Sequence, residues 1–295
     1  MKAAVLHETG PPEVLRLEDV PDPEPGEGEV LVQVEAAGVN RFDLNQRAGA
    51  ASSFPLILGG DAAGTRADTG ERVLVTRGKG SNAELMAVPE TSVYALPAGV
   101  EATTAASLPV PYTTAWWALV DQAELEPGQT LLVQGGSSST GQACIDLARA
   151  RGATVYATAR ESAWGRLKEL GAEALAYDDP RLAELQANVV FDPIGARTFA
   201  QSVGALGQDG RLVTPGAVGD PNVSFNVWAL LGKRARIQGI GSAPAPRETV
   251  EHLLELVAGG ELHPWVEREL PLGDAAEAHR LIEANEVLGR VVLRP

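Results

Sequence analysis

The stretch that decides the fold reads QTLLVQGGSSSTGQACIDLARARGATVYATAR and spans residues 129–160. Thr130–Gln134 is a short apolar run with the composition of a strand that is buried on both faces. A turn of small residues follows, and a helix is predicted to begin near Gly141 and to end at Gly152. Thr154–Thr158 is a second apolar strand. A strand, a small-residue turn, a helix and a strand within about thirty residues form a βαβ unit.

The helix of this unit is predicted to pack on the sheet through one narrow apolar stripe. On a helical wheel that stripe contains Gly141, Cys144, Ile145 and Ala148. Three polar residues are predicted to point away from it: Gln142, Asp146 and Arg149. This spacing is typical of an amphipathic helix with a single buried face.

The turn between strand and helix has the composition of a phosphate-binding loop. Small side chains let the backbone approach a ligand, and the N–H groups that open a helix point at it with the positive end of the helix dipole. The residues that would contact a pyrophosphate are Gly135, Gly136, Ser137, Ser138, Ser139, Thr140 and Gly141. The alternative interpretation is a tight turn that packs the helix on the strand and binds nothing.

The end of the second strand indicates which dinucleotide would bind. A cofactor without a 2′-phosphate usually has an acidic partner there for its ribose hydroxyls, but this strand ends in Thr158, Ala159 and Arg160. A guanidinium offers a fork of donors that suits a phosphate, so the sequence favours NADPH over NADH. The alternative for Arg160 is a solvated charge in a loop.

Composition limits the functional classes. The 295 residues suffice for two domains, and with 44% hydrophobic and 21% charged residues the chain is globular. A net charge of -15 argues against nucleic acid or an anionic membrane as a partner. The opening residues, MKAAVLHETG, contain too few consecutive apolar residues for a signal peptide, and no run is long enough to cross a bilayer. We therefore expect a cytoplasmic protein.

The chain offers few ligands for a transition metal. Cys144 is the only cysteine, which excludes an intramolecular disulfide and a zinc lobe built on cysteines. The histidines have no ligand-like spacing; they are His7, His252, His263 and His279. We therefore predict that no metal is bound.

Up to about residue 100, short strands alternate with Gly and Pro turns, which predicts a small β-rich domain. Its strands are predicted at Lys2–Leu6, Val14–Leu17, Val30–Val34, Leu56–Leu58 and Glu71–Thr76. Residues 36–49, AAGVNRFDLNQRAG, are predicted to form a polar loop after a strand, which is a common place for a site.

From Ala102 strands and helices alternate, which predicts a doubly wound parallel sheet with a ligand crevice at the carboxyl ends of its strands. Further strands are predicted at Ala174–Tyr177, Asn188–Phe191, Gly210–Thr214, Arg236–Ile240 and Gly289–Leu293. Helices are predicted at Ala102–Leu108, Tyr112–Ala123, Glu161–Leu170, Thr198–Leu206, Arg247–Ala258 and Leu272–Ala284. The fold class is therefore α/β, with a β-rich domain beside the parallel sheet.

Several segments carry a resemblance that runs nearly end to end. They are AAGVNRFDLNQRAG, LILGGDAAG, PYTTAWWAL, LEPGQTLLVQGG, VVFDPIG, GRLVTPGA, LPLGDAAEAHRLIE and GRVVLRP. In this order the chain resembles the medium-chain dehydrogenase/reductase superfamily, and most closely its zinc-independent quinone reductases, the zeta-crystallin-like group. The resemblance implies a GroES-like domain of residues 1–110 and 242–295, a Rossmann dinucleotide-binding domain of residues 111–241, and a homodimer.

The resemblance also bears on the metal. The zinc alcohol dehydrogenases of the superfamily hold their catalytic ion with a cysteine and a histidine at the positions of Asn40 and Gly60, and this chain has neither ligand there. Alcohol oxidation needs a Lewis acid to stabilise an alkoxide, whereas a quinone or an enone already polarises the carbon that accepts hydride. The protein then mainly has to hold nicotinamide and acceptor face to face.

The resemblance implies roles for residues outside the turn. Thr114 and Asn40 would lie by the nicotinamide, where the Asn40 amide would bond the substrate carbonyl or the nicotinamide ribose. Asp43 would accept N–H groups of its own loop or, alternatively, donate a proton. The remaining cofactor positions are Arg160 and Tyr177 at the adenosine half, Asp192 and Pro193 at the adenine, and Gly216 and Gly241 behind the nicotinamide.

This chain departs from the group's pattern in ways that affect cofactor binding. Ser138 stands where the group usually has a third glycine. Its hydroxyl could donate to a phosphate oxygen, whereas the bulk of its side chain could lengthen the contact between the turn and the phosphate. Ala163 stands near a position that is often lysine, which leaves Arg160 to act alone. Asn45 and Ala51 stand where bacterial members have tyrosines.

The function that the sequence favours is an NADPH-dependent quinone oxidoreductase. Hydride would pass from the nicotinamide to a quinone, and the proton would come from solvent. One alternative is reduction of an enone or enoyl thioester by the same cofactor. The other is a binding or structural protein that keeps the fold without turnover.

Overall fold

The computed structural model describes residues 1–241 and 244–295. The chain folds into two units: Met1–Val110 with Pro246–Pro295 forms unit 1, and Pro111–Ala245 forms unit 2. The domain boundary predicted between residues 241 and 242 borders residues 242–243, which lie outside the described part. Among the described residues, no helix is both long and apolar enough to span a membrane.

The strands, in chain order, are β1 (Lys2–Leu6), β2 (Leu15–Asp19), β3 (Glu29–Gly38), β4 (Leu56–Ile57), β5 (Asp61–Arg66), β6 (Arg72–Val75), β7 (Leu85–Pro89), β8 (Val93–Ala95), β9 (Thr130–Val133), β10 (Thr154–Thr158), β11 (Glu173–Leu175), β12 (Ala187–Phe191), β13 (Leu206–Thr214), β14 (Arg236–Gly239), β15 (Val266–Pro271) and β16 (Arg290–Arg294). The α-helices are α1 (Arg41–Asn45), α2 (Ala102–Ala106), α3 (Pro109–Trp116), α4 (Ser139–Ala150), α5 (Trp164–Glu169), α6 (Phe199–Ala205), α7 (Val227–Gly232), α8 (Arg247–Ala258) and α9 (Ala275–Glu283). Turns of π-helix follow α1 at Gln46–Ala50 and α3 at Trp117–Gln122.

Unit 1 is organised around β3. This strand pairs antiparallel with β5, β7 and β16. Six strands of its sheet follow the order β15-β16-β3-β5-β6-β8, and the seventh, β7, joins the sheet through β3. A smaller sheet is ordered β2-β1-β4. Val30, Val32 and Val34 of β3 point into one hydrophobic cluster, as the alternating pattern of a half-buried strand predicts. Because β16 pairs with β3, the last strand of the chain completes the sheet begun near its start.

Unit 2 is a parallel sheet of six strands ordered β11-β10-β9-β12-β13-β14. Each neighbouring pair in it is parallel. The chain begins in the middle at β9, moves outward to β11 and returns to β12 on the other side of β9. Leu131, Leu132 and Val133 are fully buried, as expected for a central strand covered on both faces. The predicted doubly wound α/β fold is confirmed, and its strand order reverses between β9 and β12, where such sheets bind ligands.

The polar side of α4 differs from its prediction. Gln142 and Asp146 are buried rather than turned away to solvent, whereas Arg149 is exposed. The Arg166 side chain of α5 donates from Nε to Gln142 Oε1 at 3.3 Å, and the Tyr112 hydroxyl of α3 donates to Asp146 Oδ2 at 2.8 Å. The helix is therefore enclosed by neighbouring helices as well as by the sheet, which a helical wheel cannot indicate.

The segment 36–49 was predicted as a loop and is largely regular. β3 continues to Gly38, and α1 begins at Arg41, where the Asp43 carboxylate accepts the Asn40 N–H at 2.7 Å and closes the first turn. The strands β5, β7, β8 and β15 and the helix α7 were not predicted either. β5 reads DAAGTR, in which Thr65 is the one residue of the β-branched and aromatic types that mark a strand.

Candidate functional site

The strand ends of unit 2 bring the predicted cofactor residues to one edge of the sheet. Because the strands are parallel, their carboxyl ends lie on the same side. Gly135 comes after β9, Arg160 after β10, Tyr177 after β11, Asp192 after β12, Gly216 after β13 and Gly241 after β14. Thr114 also belongs to unit 2, on α3, where it is half-buried. Asn40 and Asp43 belong to unit 1.

Ser138 closes the turn between β9 and α4. Its hydroxyl donates to the Gly135 carbonyl at 2.9 Å and accepts the Gly141 N–H at 3.0 Å. The serine therefore caps α4, which is why the helix begins at Ser139 rather than near Gly141. Its hydroxyl hydrogen is used inside the turn. The N–H groups of Ser139 and Thr140 belong to the first turn of α4 and therefore have no acceptor within the helix; N–H groups of this kind can donate to an anion.

Two glycines allow this turn to close. A Cβ on Gly141 would lie 2.5 Å from the Gly135 carbonyl oxygen and 2.9 Å from the Gly136 Cα. A Cβ on Gly136 would lie 2.7 Å from the Ala157 Cβ. Such separations are too short for carbon contacts, so these positions require glycine. Close packing of α4 on the turn and on β10 therefore accounts for both glycines.

Beneath the turn, a chain of hydrogen bonds joins three strand ends. Thr158 Oγ1 donates to Gln134 Oε1 at 2.6 Å and accepts the Gly135 N–H at 3.2 Å. Gln134 Nε2 donates to Ser202 Oγ at 3.1 Å, and that hydroxyl donates to Asp192 Oδ2 at 2.7 Å. The side chains of Gln134, Thr158, Asp192 and Ser202 are buried. This network fixes the ends of β9, β10 and β12 relative to one another.

Asp192 holds the loop that follows β12. The residue is fully buried, and its Oδ1 accepts the Thr198 hydroxyl and the Ile194 N–H, each at 2.9 Å. Its carboxylate is therefore directed into the protein. Asp192 and Pro193 were both predicted to flank the adenine. Of the two, Pro193 is half-buried and has exposed surface that could contact the base.

Tyr177 and Arg160 lie after neighbouring strands, together with an arginine that the sequence did not single out. Burial raises the pKa of Tyr177, whereas the charges of Arg197 and Arg160 and a hydrogen bond with Thr158 oppose the rise. The Arg197 guanidinium carbon lies 4.8 Å from the centre of the Tyr177 ring, within range of a cation–π contact. Arg197 belongs to the loop after β12, and only the fold brings it to Tyr177.

Unit 1 contains a buried polar cluster around Asn40. Arg290 Nη2 and Asp61 Oδ2 form an ion pair at 2.7 Å, with side chains that are 2% and 1% exposed. Asn40 joins both partners, because its Nδ2 donates to Asp61 Oδ2 at 2.9 Å and its Oδ1 accepts from Arg290 Nη1. Arg290 also donates to the Val39 carbonyl at 2.9 Å. The Asn40 amide is therefore held in one orientation.

Asp43 adjoins this cluster with 3% of its surface exposed. Its Oδ2 accepts the Asn40 N–H at 2.7 Å. Burial raises the pKa of Asp43 to about 7; the N–H groups of Asn40 and Gly59 and the charge of Arg290 oppose this rise, and the charge of Asp61 adds to it. Near neutral pH the carboxyl is therefore present in both protonated and ionised forms.

The side chains at the positions of the superfamily's zinc ligands do not fit a zinc ion. The Asn40 amide is bound to Asp61 and Arg290. Gly60 has no side chain, and a Cβ there would lie 3.0 Å from the Gly78 carbonyl oxygen, which leaves little room for a ligand. Across residues 1–241 and 244–295, His, Cys, Asp and Glu side chains form no group of three that could hold a metal.

The ion pair of Asp61 and Arg290 is the feature of unit 1 that sequence reasoning missed. Both residues lie in segments that carried the resemblance, but they are 229 positions apart. The available signal was a charged residue at the start of each of two otherwise apolar stretches, Asp61 in DAAG and Arg290 in RVVL. A buried charge needs a partner, and the fold supplies it.

Comparisons with known proteins show the family of this chain. Residues 26–98 match the family model described as alcohol dehydrogenase GroES-like domain, and residues 170–293 match the model described as zinc-binding dehydrogenase. The quinone oxidoreductase of Lama guanicoe is 30% identical over 322 residues, which cover 99% of this chain and 97% of that protein.

Solved structures resemble this chain over its full length. A protein described as an NAD-dependent alcohol dehydrogenase is 31% identical with a TM-score of 0.93, covering 100% of both chains. A mycobacterial protein solved as a complex with NADPH is 29% identical with a TM-score of 0.88, again covering 100% of both chains. This chain therefore belongs to the medium-chain dehydrogenase/reductase superfamily of oxidoreductases and is related to its quinone oxidoreductases.

Proposed function

We propose that the protein is an NADPH-dependent quinone oxidoreductase that transfers hydride from the nicotinamide to a quinone without a metal ion. The observation that carries the proposal is the Ser138-capped turn at the head of α4, with Arg160 at the end of the next strand. It supports a reduced dinucleotide whose adenosine ribose bears a phosphate. The sequence similarity to quinone oxidoreductases supports a quinone as the acceptor of the hydride.

The cofactor would be held mainly by backbone N–H groups and arginine. The first-turn N–H groups of Ser139 and Thr140 would donate to the pyrophosphate, aided by the helix dipole and by the glycines of the turn. Arg160 and Tyr177 would bind the adenosine half, and Pro193 would flank the adenine. Behind the nicotinamide we place Gly216 and Gly241, with Thr114 beside it. The bound dinucleotide supplies the hydride.

Asn40 is the residue that we assign to the substrate carbonyl or the nicotinamide ribose. One of its two amide hydrogens bonds Asp61, and the second is the donor for this role. Asp61 and Arg290 position that amide. Asp43 is assigned to the structure of α1, since its carboxylate accepts the Asn40 N–H, and the proton for the reduced quinone is assigned to solvent.

Metal independence is supported by the residues at the two superfamily ligand positions, because the Asn40 amide is bound to Asp61 and Arg290 and Gly60 offers no ligand atom in a side chain. A quinone already carries an electrophilic carbon and needs no Lewis acid to accept hydride. Dialysis against a chelator is expected to leave turnover of NADPH and quinone unchanged. Loss of activity that returns on adding zinc would refute this part of the proposal.

The function is tested by the rate of NADPH oxidation with 1,2-naphthoquinone. Saturable turnover that is faster with NADPH than with NADH is expected. A 2-alkenal and an enoyl thioester serve as comparison substrates: turnover with either but not with the quinone would favour an enone or enoyl thioester reductase. Binding of NADPH without turnover of any acceptor would favour a non-catalytic protein.

We also propose that two copies associate through the β14 edge of unit 2. This edge strand pairs with β13 on one side, and the preceding helix α7 exposes Val227 at 52%, Trp228 at 75% and Leu231 at 58%. Edge strands of two identical chains can pair across a two-fold axis, and such pairing would bury the adjacent apolar side chains. Light scattering is expected to give a dimer, and Trp228→Asp a monomer. A monomeric wild-type protein would contradict this.

A further inference from the structure

The loop after β12 places Arg197 at the adenosine side of the turn. Its guanidinium carbon lies 4.8 Å from the centre of the Tyr177 ring. The loop is anchored on both sides of Arg197, because the Ala196 N–H donates to the Asp220 carbonyl at 2.9 Å and the Thr198 hydroxyl donates to Asp192 Oδ1 at 2.9 Å. The Arg197 side chain is exposed, and these hydrogen bonds hold the backbone on both sides of it.

Tyr177 in turn lies against the nucleotide turn. A Cβ built on Gly135 would be 3.9 Å from the Tyr177 hydroxyl oxygen, so this hydroxyl borders the turn directly. The charges of Arg197 and Arg160 both act on the Tyr177 phenol. Arg197 therefore contacts the ring of a tyrosine that follows β11, and Arg160 follows the neighbouring strand β10.

We infer that Arg197 is a second arginine for the 2′-phosphate of NADPH, beside the Arg160 and Tyr177 already assigned to the adenosine half, and that it contributes to cofactor specificity. The inference rests on the proposed function and names a residue to which neither the sequence nor the resemblance gave a role. Ala163, near the position where the superfamily group often has lysine, is 1% exposed and uncharged. Arg197 supplies the second positive charge instead.

The chemistry of the phosphate favours two arginines. A phosphate monoester carries nearly two negative charges at neutral pH, and the protein as a whole has a net charge of -15. Two guanidinium forks provide local charge and several charge-assisted hydrogen bonds. The ring of Tyr177 keeps the Arg197 fork oriented, which reduces the entropy lost when the phosphate binds.

The test compares two dinucleotides that differ only in this phosphate. Kd values for NADPH and NADH are measured by titration calorimetry on the full chain and on Arg197→Ala. A weakening of NADPH binding by about 10- to 100-fold is expected, as for loss of a charge-assisted bond, with little change for NADH. Arg197→Lys, which keeps the charge but loses the planar fork, is expected to fall between wild type and Arg197→Ala.

Arg149→Ala is the matched control. This substitution removes an arginine from the C-terminal end of α4, whereas the nucleotide turn lies at the N-terminal end of that helix. It should leave the ratio of the two Kd values unchanged. Adenosine 2′,5′-bisphosphate and adenosine 5′-monophosphate repeat the comparison without the nicotinamide. They should show the same loss for the bisphosphate alone.

The outcomes separate this inference from the proposed function. If the wild type prefers NADPH but Arg197→Ala weakens NADPH and NADH equally, or neither, the inference is wrong and the cofactor assignment stands. If the wild type binds neither dinucleotide, the cofactor assignment fails and the inference with it. If NADPH binds as inferred but no quinone is reduced, only the choice of acceptor fails. Thermal unfolding of each variant verifies that it is folded.

Discussion

Gly141→Ala probes the turn on which the cofactor assignment depends. The added methyl carbon would lie 2.5 Å from the Gly135 carbonyl oxygen and 2.9 Å from the Gly136 Cα. Both neighbours are backbone, so the turn has to open by about half an ångström before the contact is tolerable. Overpacking of this kind costs roughly 1–3 kcal/mol, against a gain of about 1 kcal/mol from the helix propensity of alanine. Thermal stability of unit 2 is expected to fall.

Cofactor affinity is expected to fall further than stability. Opening the turn breaks the Ser138 bridge between Gly135 and Gly141 and shifts the N–H groups of Ser139 and Thr140. A loss of about 1.4 kcal/mol or more in binding corresponds to at least a tenfold rise in the Kd for NADPH. Titration calorimetry with NADPH measures it, at a temperature where the variant remains folded.

Gly165→Ala is the matched control for this change. Gly165 lies within α5, and a Cβ there would meet nothing within 4 Å. The same substitution should therefore stabilise the protein by about 0.5–1 kcal/mol and leave the Kd for NADPH unaltered. If Gly141→Ala bound NADPH as tightly as Gly165→Ala does, the turn would not be the pyrophosphate site.

Three further substitutions test unit 1. Arg290→Met should destabilise unit 1 by about 3–5 kcal/mol, because Asp61 is left buried without its cation. Hydrogen exchange in β5 and β16 measures this loss of stability. Adding Asp61→Asn to Arg290→Met should recover part of the lost stability. Asp43 has a pKa raised from 3.8 to about 7, so its contribution to stability is full below 3.8 and is lost as the pH rises through about 7. In Asp43→Asn this decline in the urea midpoint should disappear. His279 has a pKa lowered by burial from 6.5 to about 3, so its contribution is full above 6.5 and is lost as the pH falls through about 3; His279→Gln should remove that acid loss. A wild-type pH profile in either of the last two variants, or wild-type exchange in Arg290→Met, would contradict the assignment concerned.

The fold of unit 2 could be predicted because its signals are local. Thr154–Thr158 was placed correctly as a strand, and β9 differs from its prediction by one residue, since apolar runs between glycine turns identify buried strands. The start of α4 was missed by two residues. Serine is a preferred N-cap, so Ser138 was an available signal that the glycine-based reading of the turn overlooked.

The remaining errors concern contacts between distant segments. Burial of Asp146 depends on the Tyr112 hydroxyl, and burial of Asp61 depends on Arg290, so neither follows from its own neighbourhood in the sequence. Arg197 is a comparable case in unit 2. The loop that contains Arg197 has no recognisable motif. Arg197 follows β12 and Tyr177 follows β11, and these two strands lie on either side of the β9–β10 pair, so their contact depends on the assembled sheet.

An electron-density map of the protein crystallised with NADPH tests the central claim most directly. The pyrophosphate is expected over residues 135–141, with its oxygens within hydrogen-bond distance of the Ser139 and Thr140 N–H groups and the 2′-phosphate at Arg160. A dinucleotide bound elsewhere, or a turn that remains closed to it at saturating NADPH, would contradict the account.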